Sequence, residues 1–275
     1  MLKRTDTKII ISGSIVEVHS YVGEPLYYGF TVFPNSKTRR KIEVIDEESL
    51  LRKSESRKRS MRRAGSNIRK LVNSNAWRWK NSIGIPYEPI FVTLTFKDDV
   101  RDVRKANAEF THFIRRLNYK VSGKSNKFIF KYISVIEFQD LNRGGVIHYH
   151  TVFFNLPTAV ADILSQIWGH GFIDKKKIEE IDNVGAYISK SLSSAHDDSR
   201  LDGNKHYFSS SGLLQPIEIR EQGKAQAIKK LLLGENIAKV VDNSDRYQGR
   251  VERVSYQLNK SETLSDTIPE VYNLP

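Results

Sequence analysis

Two histidines, His148 and His150 in "VIHYHTVFF", have the residue type and spacing best suited to chemistry in this chain. Side chains two apart on a strand share a face. Both imidazoles therefore look one way, and Tyr149 looks the other way with Ile147 and Thr151. One histidine in an apolar strand is ordinarily a hydrogen-bonded core residue. Two on one face, with no acid in the strand to neutralise them, suit a metal ion. "VIEFQD" lies just upstream, and Glu137 and Gln139 share one of its faces. In a hairpin turning through "DLNRGG", either can stand opposite the histidines. Glu137 is the preferred third ligand, because a carboxylate adds charge where a divalent cation needs it, and Gln139 is the alternative. Two histidines and a carboxylate with open positions suit Mg²⁺ or Mn²⁺ held against a phosphate, or Zn²⁺ in a hydrolase. Spacing does not choose between them.

A second pair lies downstream. In "VGAYISKSL", Tyr187 and Lys190 are three apart and share a helix face. Tyrosine titrates near about 10 and is a poor nucleophile at neutral pH. A nearby ammonium favours the phenolate, and it can also steady charge on a phosphate or leaving group. An isolated pair of this kind is commonly a half-buried tyrosine beside a surface lysine. Beside "HYH", in a basic chain, it reads as a nucleophile and its partner. "SGKS" at Ser122–Ser125 lacks the first glycine of a phosphate loop, because Asn118 stands there, and it follows a helix instead of a strand. No NTPase or built-in helicase is expected. His170 in "WGHG" reads as a loop histidine.

The elements that must position these residues are legible from pattern. Residues 8–34 alternate apolar and polar with Gly and Pro breaks, which predicts two or three short strands. Residues 48–80 predict a helix, with Leu51, Met61, Ile68, Leu71 and Val72 as candidate buried positions and Gly65 as a possible break. From Arg52 to Lys70 this helix is densely basic and carries one acid, Glu55. Arg57, Lys58, Arg59, Arg62 and Arg63 can follow phosphates, and Trp77 and Trp79 can stack bases. A solvated helix face explains the same residues. Arg143, in the turn beside the histidines, is a further candidate DNA contact. "IFVTLTF" predicts a central strand, and Asp98 or Asp99 can cap the helix that follows it. That helix has Val103, Ala106, Phe110, Phe113, Ile114 and Leu117 at helical spacing. Strands over 128–138 and through "VIHYHTVFF" come next, then a helix capped by Thr158, a short strand in "GFIDKKKI" and a helix that Asn183 could cap. The β-α-β-β-α-β-α order of residues 90–194 predicts an α+β domain, with an antiparallel sheet carrying its helices mainly on one face.

Composition sets the class. The chain has 275 residues, 39% of them hydrophobic, which supports a core. Its net charge is +12, and a surface of that sign attracts polyanions, nucleic acid before anionic lipid. No apolar run approaches the ~20 residues of a membrane span. The first residues lack a small-residue cleavage site, so no signal peptide is expected. There are no cysteines, which fits a reducing cytosol.

The chain resembles the HUH endonucleases, specifically the rolling-circle replication initiators of bacterial plasmids and filamentous phages. "FVTLTF" resembles the first motif of that family. "VIEFQDLNRGGVIHYHTVFF" resembles the metal-binding second motif, and "NVGAYISKSL" the third. "KHYFSSSGLLQP" is similar to a stretch found downstream in the group. The resemblance implies a ferredoxin-like sheet fold over 85–200, with an accessory DNA-binding segment over 1–84 and a C-terminal segment over 201–275 packing on the core. It implies Tyr187 as nucleophile, Lys190 as its partner, and Mg²⁺ or Mn²⁺ at His148, His150 and Glu137. It also implies a bacterial cytosolic protein that nicks single-stranded origin DNA carrying a hairpin. The implied partners are host helicase and polymerase, with a homodimer or transient oligomer possible. A tyrosine transposase or a relaxase shares the chemistry, although relaxases usually place the tyrosine ahead of the histidines. A non-catalytic sheet-based binder of single strands is the alternative from another class.

Overall fold

A computed structural model of the chain describes residues 3–29, 47–123, 128–178, 199–201, 204–205, 207–234, 238–242, 250–258 and 264–267. The chain divides into two units, residues 1–44 with 215–275, and residues 45–214. No helix among the described residues is long and apolar enough to cross a membrane.

In the first unit, the alternating N-terminal segment folds as β1 (Lys3–Thr5), β2 (Thr7–Ser12), β3 (Ile15–Val22) and β4 (Leu26–Tyr28). Gly13, with φ 62, makes the tight β2–β3 turn. β2 and β3 pair with β10 (Ile217–Ile219) and β12 (Arg250–Gln257), and β11 (Ala238–Asp242) completes the order β10-β2-β3-β12-β11. Ile9, Val16, Val18, Tyr256 and Leu258 form an apolar cluster with Ala225, Ile228 and Leu232 of α6 (Gln222–Gly234). The N-terminal strands thus share a sheet with the C-terminal segment. The sequence boundaries at 84 and 200 both fall inside the second unit, because strand pairing between the two ends of the chain leaves no local signal.

The second unit begins with α1 (Glu47–Asn75). Met61, Ile68 and Val72 are buried at helical spacing. Gly65 lies on the same buried face and does not interrupt the helix. Leu51, expected in the core, is 61% exposed, because no packed face extends to the first turns of α1 among the described residues. The sheet has the order β8-β5-β7-β6-β9, every pair antiparallel. Its strands are β5 (Ile90–Thr95), β6 (Tyr132–Gln139), β7 (Val146–Phe153), β8 (Ile173–Lys177) and β9 (Tyr207–Ser209). β5 and β6 run parallel with β7 between them, so α2 (Val103–Ser122) is their crossover.

All the helical-spacing residues expected on α2 are buried. Its cap is Asp102, whose side chain accepts from the Lys105 backbone N–H at 2.9 Å. Asp98 and Asp99 do not cap it, because residues 98–102 form a further stretch of loop before the helix starts. The segment after β7 splits into α4 (Thr158–Ala161) and α5 (Leu164–Trp168), with Thr158 inside the first turn and Pro157 as the cap residue. Trp168 packs at 5.0 Å from Phe96 and edge-on to Phe113, and its indole N–H donates to the Thr95 carbonyl at 2.8 Å. α2 and α5 therefore lie on the same side of the sheet. The architecture is α+β with antiparallel sheets, as the pattern predicts.

Candidate metal and nucleic-acid site

β7 is the middle strand, and all eight of its residues are buried. Its odd-numbered side packs on α2. Tyr149 stacks on Phe110 at 4.7 Å, and its hydroxyl donates to Asn107 Oδ1 at 2.6 Å. Burial pushes that phenol well above its ordinary range. Tyr149 is therefore a satisfied core tyrosine.

The even-numbered side carries His148 and His150, 5% and 4% exposed. Register places Thr95 and Glu137 on either side of His148, and Thr93 and Val135 on either side of His150. Glu137 Oε2 lies 2.5 Å from His150 Nε2. Thr93 Oγ1 lies 3.2 Å from His150 Nδ1, and the Phe91 ring stacks on the same imidazole at 5.6 Å. His148 Nε2 is buried with no hydrogen-bond partner. Burial is the main reason that His148 is pulled down to about 4, helped by the charges of His150 and Arg143 and opposed by Glu137. Its hydrogen bond to His150 holds Glu137 below the usual carboxylate range. At neutral pH the site thus has a neutral buried imidazole with a lone pair unengaged, beside an ionised carboxylate whose side chain is 31% exposed.

A buried polar atom without a partner costs about 1–3 kcal/mol. A cation at His148 Nε2 would remove that cost. Among the described residues, no three His, Asp or Glu side chains converge as a closed metal centre, because Glu137 closes directly on His150. The donor types fit a divalent ion once that hydrogen bond is exchanged for coordination. Gln139 shares the face of Glu137 but pairs with Val146, one step further from the histidines.

The buried histidine has a consequence for the metal-free protein. An unfolded histidine takes up its proton near 6.5, whereas folded His148 does so only at about 4. Between those values the unfolded chain binds more protons, so stability falls as pH drops through that window. The expected loss is about 3 kcal/mol, complete below about pH 4. Denaturant midpoints at pH 7 and pH 4 in EDTA, for the wild type and His148→Gln, check this. The variant should lose less stability on acidification by that amount.

The hairpin that aligns β6 with β7 is rigidly held. α3 (Asp140–Arg143) ends in Gly144, left-handed at φ 56, and the Gly145 N–H donates to the Gln139 carbonyl at 3.0 Å. The Arg143 guanidinium donates to the Phe96 carbonyl at 2.7 Å, to the Lys97 carbonyl at 3.1 Å and to Asp99 at 2.9 Å. Arg143, expected as a DNA contact, is thus engaged in fixing the hairpin to the end of β5. Asp140 receives a two-pronged bond from Arg200, at 2.9 Å on each oxygen, and Arg200 also lies over the Phe138 ring. Sequence reasoning missed Thr93, Phe91 and the Arg200–Asp140 clamp. The alternation Thr93-Leu94-Thr95 in "TLT" was the available signal for a polar row on β5 facing the histidines.

On α1, Lys58, Arg59, Arg62 and Arg63 are exposed and Arg57 is half-buried. Trp77 has φ 64 and follows the end of the helix. The Trp79 ring lies under Lys131 at 5.1 Å, and its N–H donates to Asn75. His170 bonds Glu109 of α2 at 3.0 Å and packs on Trp168 and Phe96, away from the paired histidines. Tyr187, Lys190, Asp182 and Asn183 lie outside the described residues.

No curated protein and no solved structure matches the chain. Residues 89–196, which run from the start of β5 past the paired histidines and on through Tyr187, match the family model of the replication-associated protein ORF2, and that match fits a rolling-circle replication initiator.

Proposed function

We propose that this initiator is a metal-dependent single-strand DNA nickase that uses Tyr187 as its nucleophile. The observation that carries the proposal is the rung Thr95–His148–Glu137, where a buried imidazole nitrogen has no hydrogen-bond partner beside an ionised carboxylate. His148, His150 and Glu137 would hold Mg²⁺ or Mn²⁺. Bound there, the ion supplies Lewis acidity and charge neutralisation at the scissile phosphate. Tyr187 gives up its phenolic proton and its oxygen bonds to phosphorus. The bond from phosphorus to the 3′ oxygen breaks, and that oxygen takes a proton to become a 3′-OH primer. The 5′ end remains as a phosphotyrosine, so rejoining needs no ATP. Lys190, one helical turn from Tyr187, favours the phenolate. The positions one turn from Tyr187 are Asn183, Val184, Lys190 and Ser191, so none of them can be a second tyrosine nucleophile. The closing cut then falls to Tyr187 of a second subunit, with a water activated by a carboxylate such as Asp182 as the other route.

The function is tested with a library of single strands, Mn²⁺ and a polymerase. New 3′ ends that the polymerase extends support it, and an uncut library contradicts it. The direct bond between Glu137 and His150 favours a second reading, a hydrogen-bonded pair in a non-catalytic single-strand binder. Such a protein would bind the library equally well in EDTA and cut none of it.

The basic face of α1 is proposed to follow phosphates. Neutralising Lys58, Arg59, Arg62 and Arg63 together should weaken binding. It should also flatten the salt dependence by about 0.7 in log–log slope for each phosphate that is no longer neutralised. Titrations over a range of salt measure this. An unchanged slope would make the helix a solvated face.

A further inference from the structure

Phe172 is a large aromatic side chain left 71% exposed, and among the described residues its ring packs against no other ring. It immediately precedes β8. Its carbonyl accepts from the Thr95 backbone N–H at 3.0 Å and from Thr95 Oγ1 at 2.7 Å. Those bonds add it to the end of the rung that carries the candidate site, in the order Phe172, Thr95, His148, Glu137. Ile173, its neighbour, pairs with buried Leu94 and packs on the α2 side. Strand alternation directs Phe172 to the opposite side, which is the side of the histidines. Two strand spacings separate it from His148, about 10 Å. Exposing such a ring to water is unfavourable unless something covers it.

The surrounding charge indicates what covers it. Lys97 and Lys176 are both exposed, on the strands that flank this position. Lys176 lies four residues along from Phe172 on the same side of the strand, with Asp174 paired to it at 3.4 Å. Apolar ring and cations together suit an occupant that has both a π-face and a regular series of anions, namely a single-stranded nucleic acid.

We infer that Phe172 is the stacking platform for a base of the single strand, close to the scissile phosphate, and so a positioning residue for the reaction proposed above. The inference rests on that reading of the His148 site for the identity of the strand. An extended single strand crossing from Glu137 towards β8 then has its phosphate at the histidines and a neighbouring base on Phe172. Stacking accepts any base, so Phe172 contributes placement and Kd more than sequence choice.

The test uses the full chain in EDTA with short oligodeoxythymidylates that carry a 2-aminopurine at successive positions. Stacking on Phe172 should quench the fluorophore at one position in the wild type. Phe172→Ala should remove that quench and weaken binding about tenfold, the loss expected for one base–aromatic stack. Phe172→Trp should restore both. Because the ring is exposed, all three proteins should melt at the same temperature. Equal affinity and equal quench in Phe172→Ala would overturn the inference while leaving the nickase reading intact. Failure of the wild type to bind any single strand would overturn both.

Discussion

Tyr187→Phe should cut no DNA while binding single strands as the wild type does. The substitution removes one oxygen, which is the atom proposed to bond phosphorus. Deleting a nucleophile removes a step that no other group in the site performs, and such losses reach about 10³-fold or more. The ring and its packing stay, so affinity should change by less than about twofold, within the range of a surface substitution. Lys190→Ala should act differently. It removes a charge that favours the phenolate but leaves the nucleophile, so cleavage should slow without stopping. Measuring Kd and single-turnover cleavage separately distinguishes the two. A Tyr187→Phe protein that nicks normally would remove Tyr187 from the mechanism.

Loss of the metal set should be nearly as severe. His148→Ala and His150→Ala should each stop cleavage, as should EDTA, with Mg²⁺ or Mn²⁺ restoring only the chelated wild type. The structure separates the two histidines in a second measurement. His148 Nε2 has no hydrogen-bond partner, so His148→Ala removes no hydrogen bond of that atom. His150 bonds Glu137 and Thr93, and its removal leaves a carboxylate without its partner in a half-buried site. That costs about 1–3 kcal/mol. His150→Ala should therefore destabilise the metal-free protein more than its lost volume alone explains. Glu137→Ala should weaken Mn²⁺ binding, read by calorimetry, more than Gln139→Ala. The reverse order would move the third ligand to Gln139.

The site was legible where chemistry follows local period. "VIHYHTVFF" alternates strictly, so the facing of His148 and His150 against Tyr149 could be read from the residues alone. The Glu137–His148 pairing was legible as a choice between Glu137 and Gln139, because the hairpin length was visible but its register was not. Register depends on the turn, and here the turn is a helical one ending in left-handed Gly144, with Arg143 tying it to β5. A guanidinium that bonds backbone carbonyls far away in sequence looks the same in sequence as one that awaits a phosphate. The same limit hid Phe172, whose exposure depends on an edge strand that pairs with the distant β5. The N-terminal strands show a clear alternation but no sign that their partners are β10 and β12. In α1, Leu51 continued the apolar spacing of Met61, Ile68 and Val72 beyond the point where the helix has a surface to pack on.

The proposed chemistry turns on a covalent bond from Tyr187 to DNA. The direct measurement is to incubate the protein with end-labelled single-stranded origin DNA and Mn²⁺, denature it in SDS, and map the labelled peptide by mass spectrometry. The expected product is an SDS-resistant complex in which the 5′ phosphate sits on the peptide containing Tyr187, absent in EDTA and absent with Tyr187→Phe. Cleaved DNA with no protein attached, or a complex that Tyr187→Phe still forms, would contradict it.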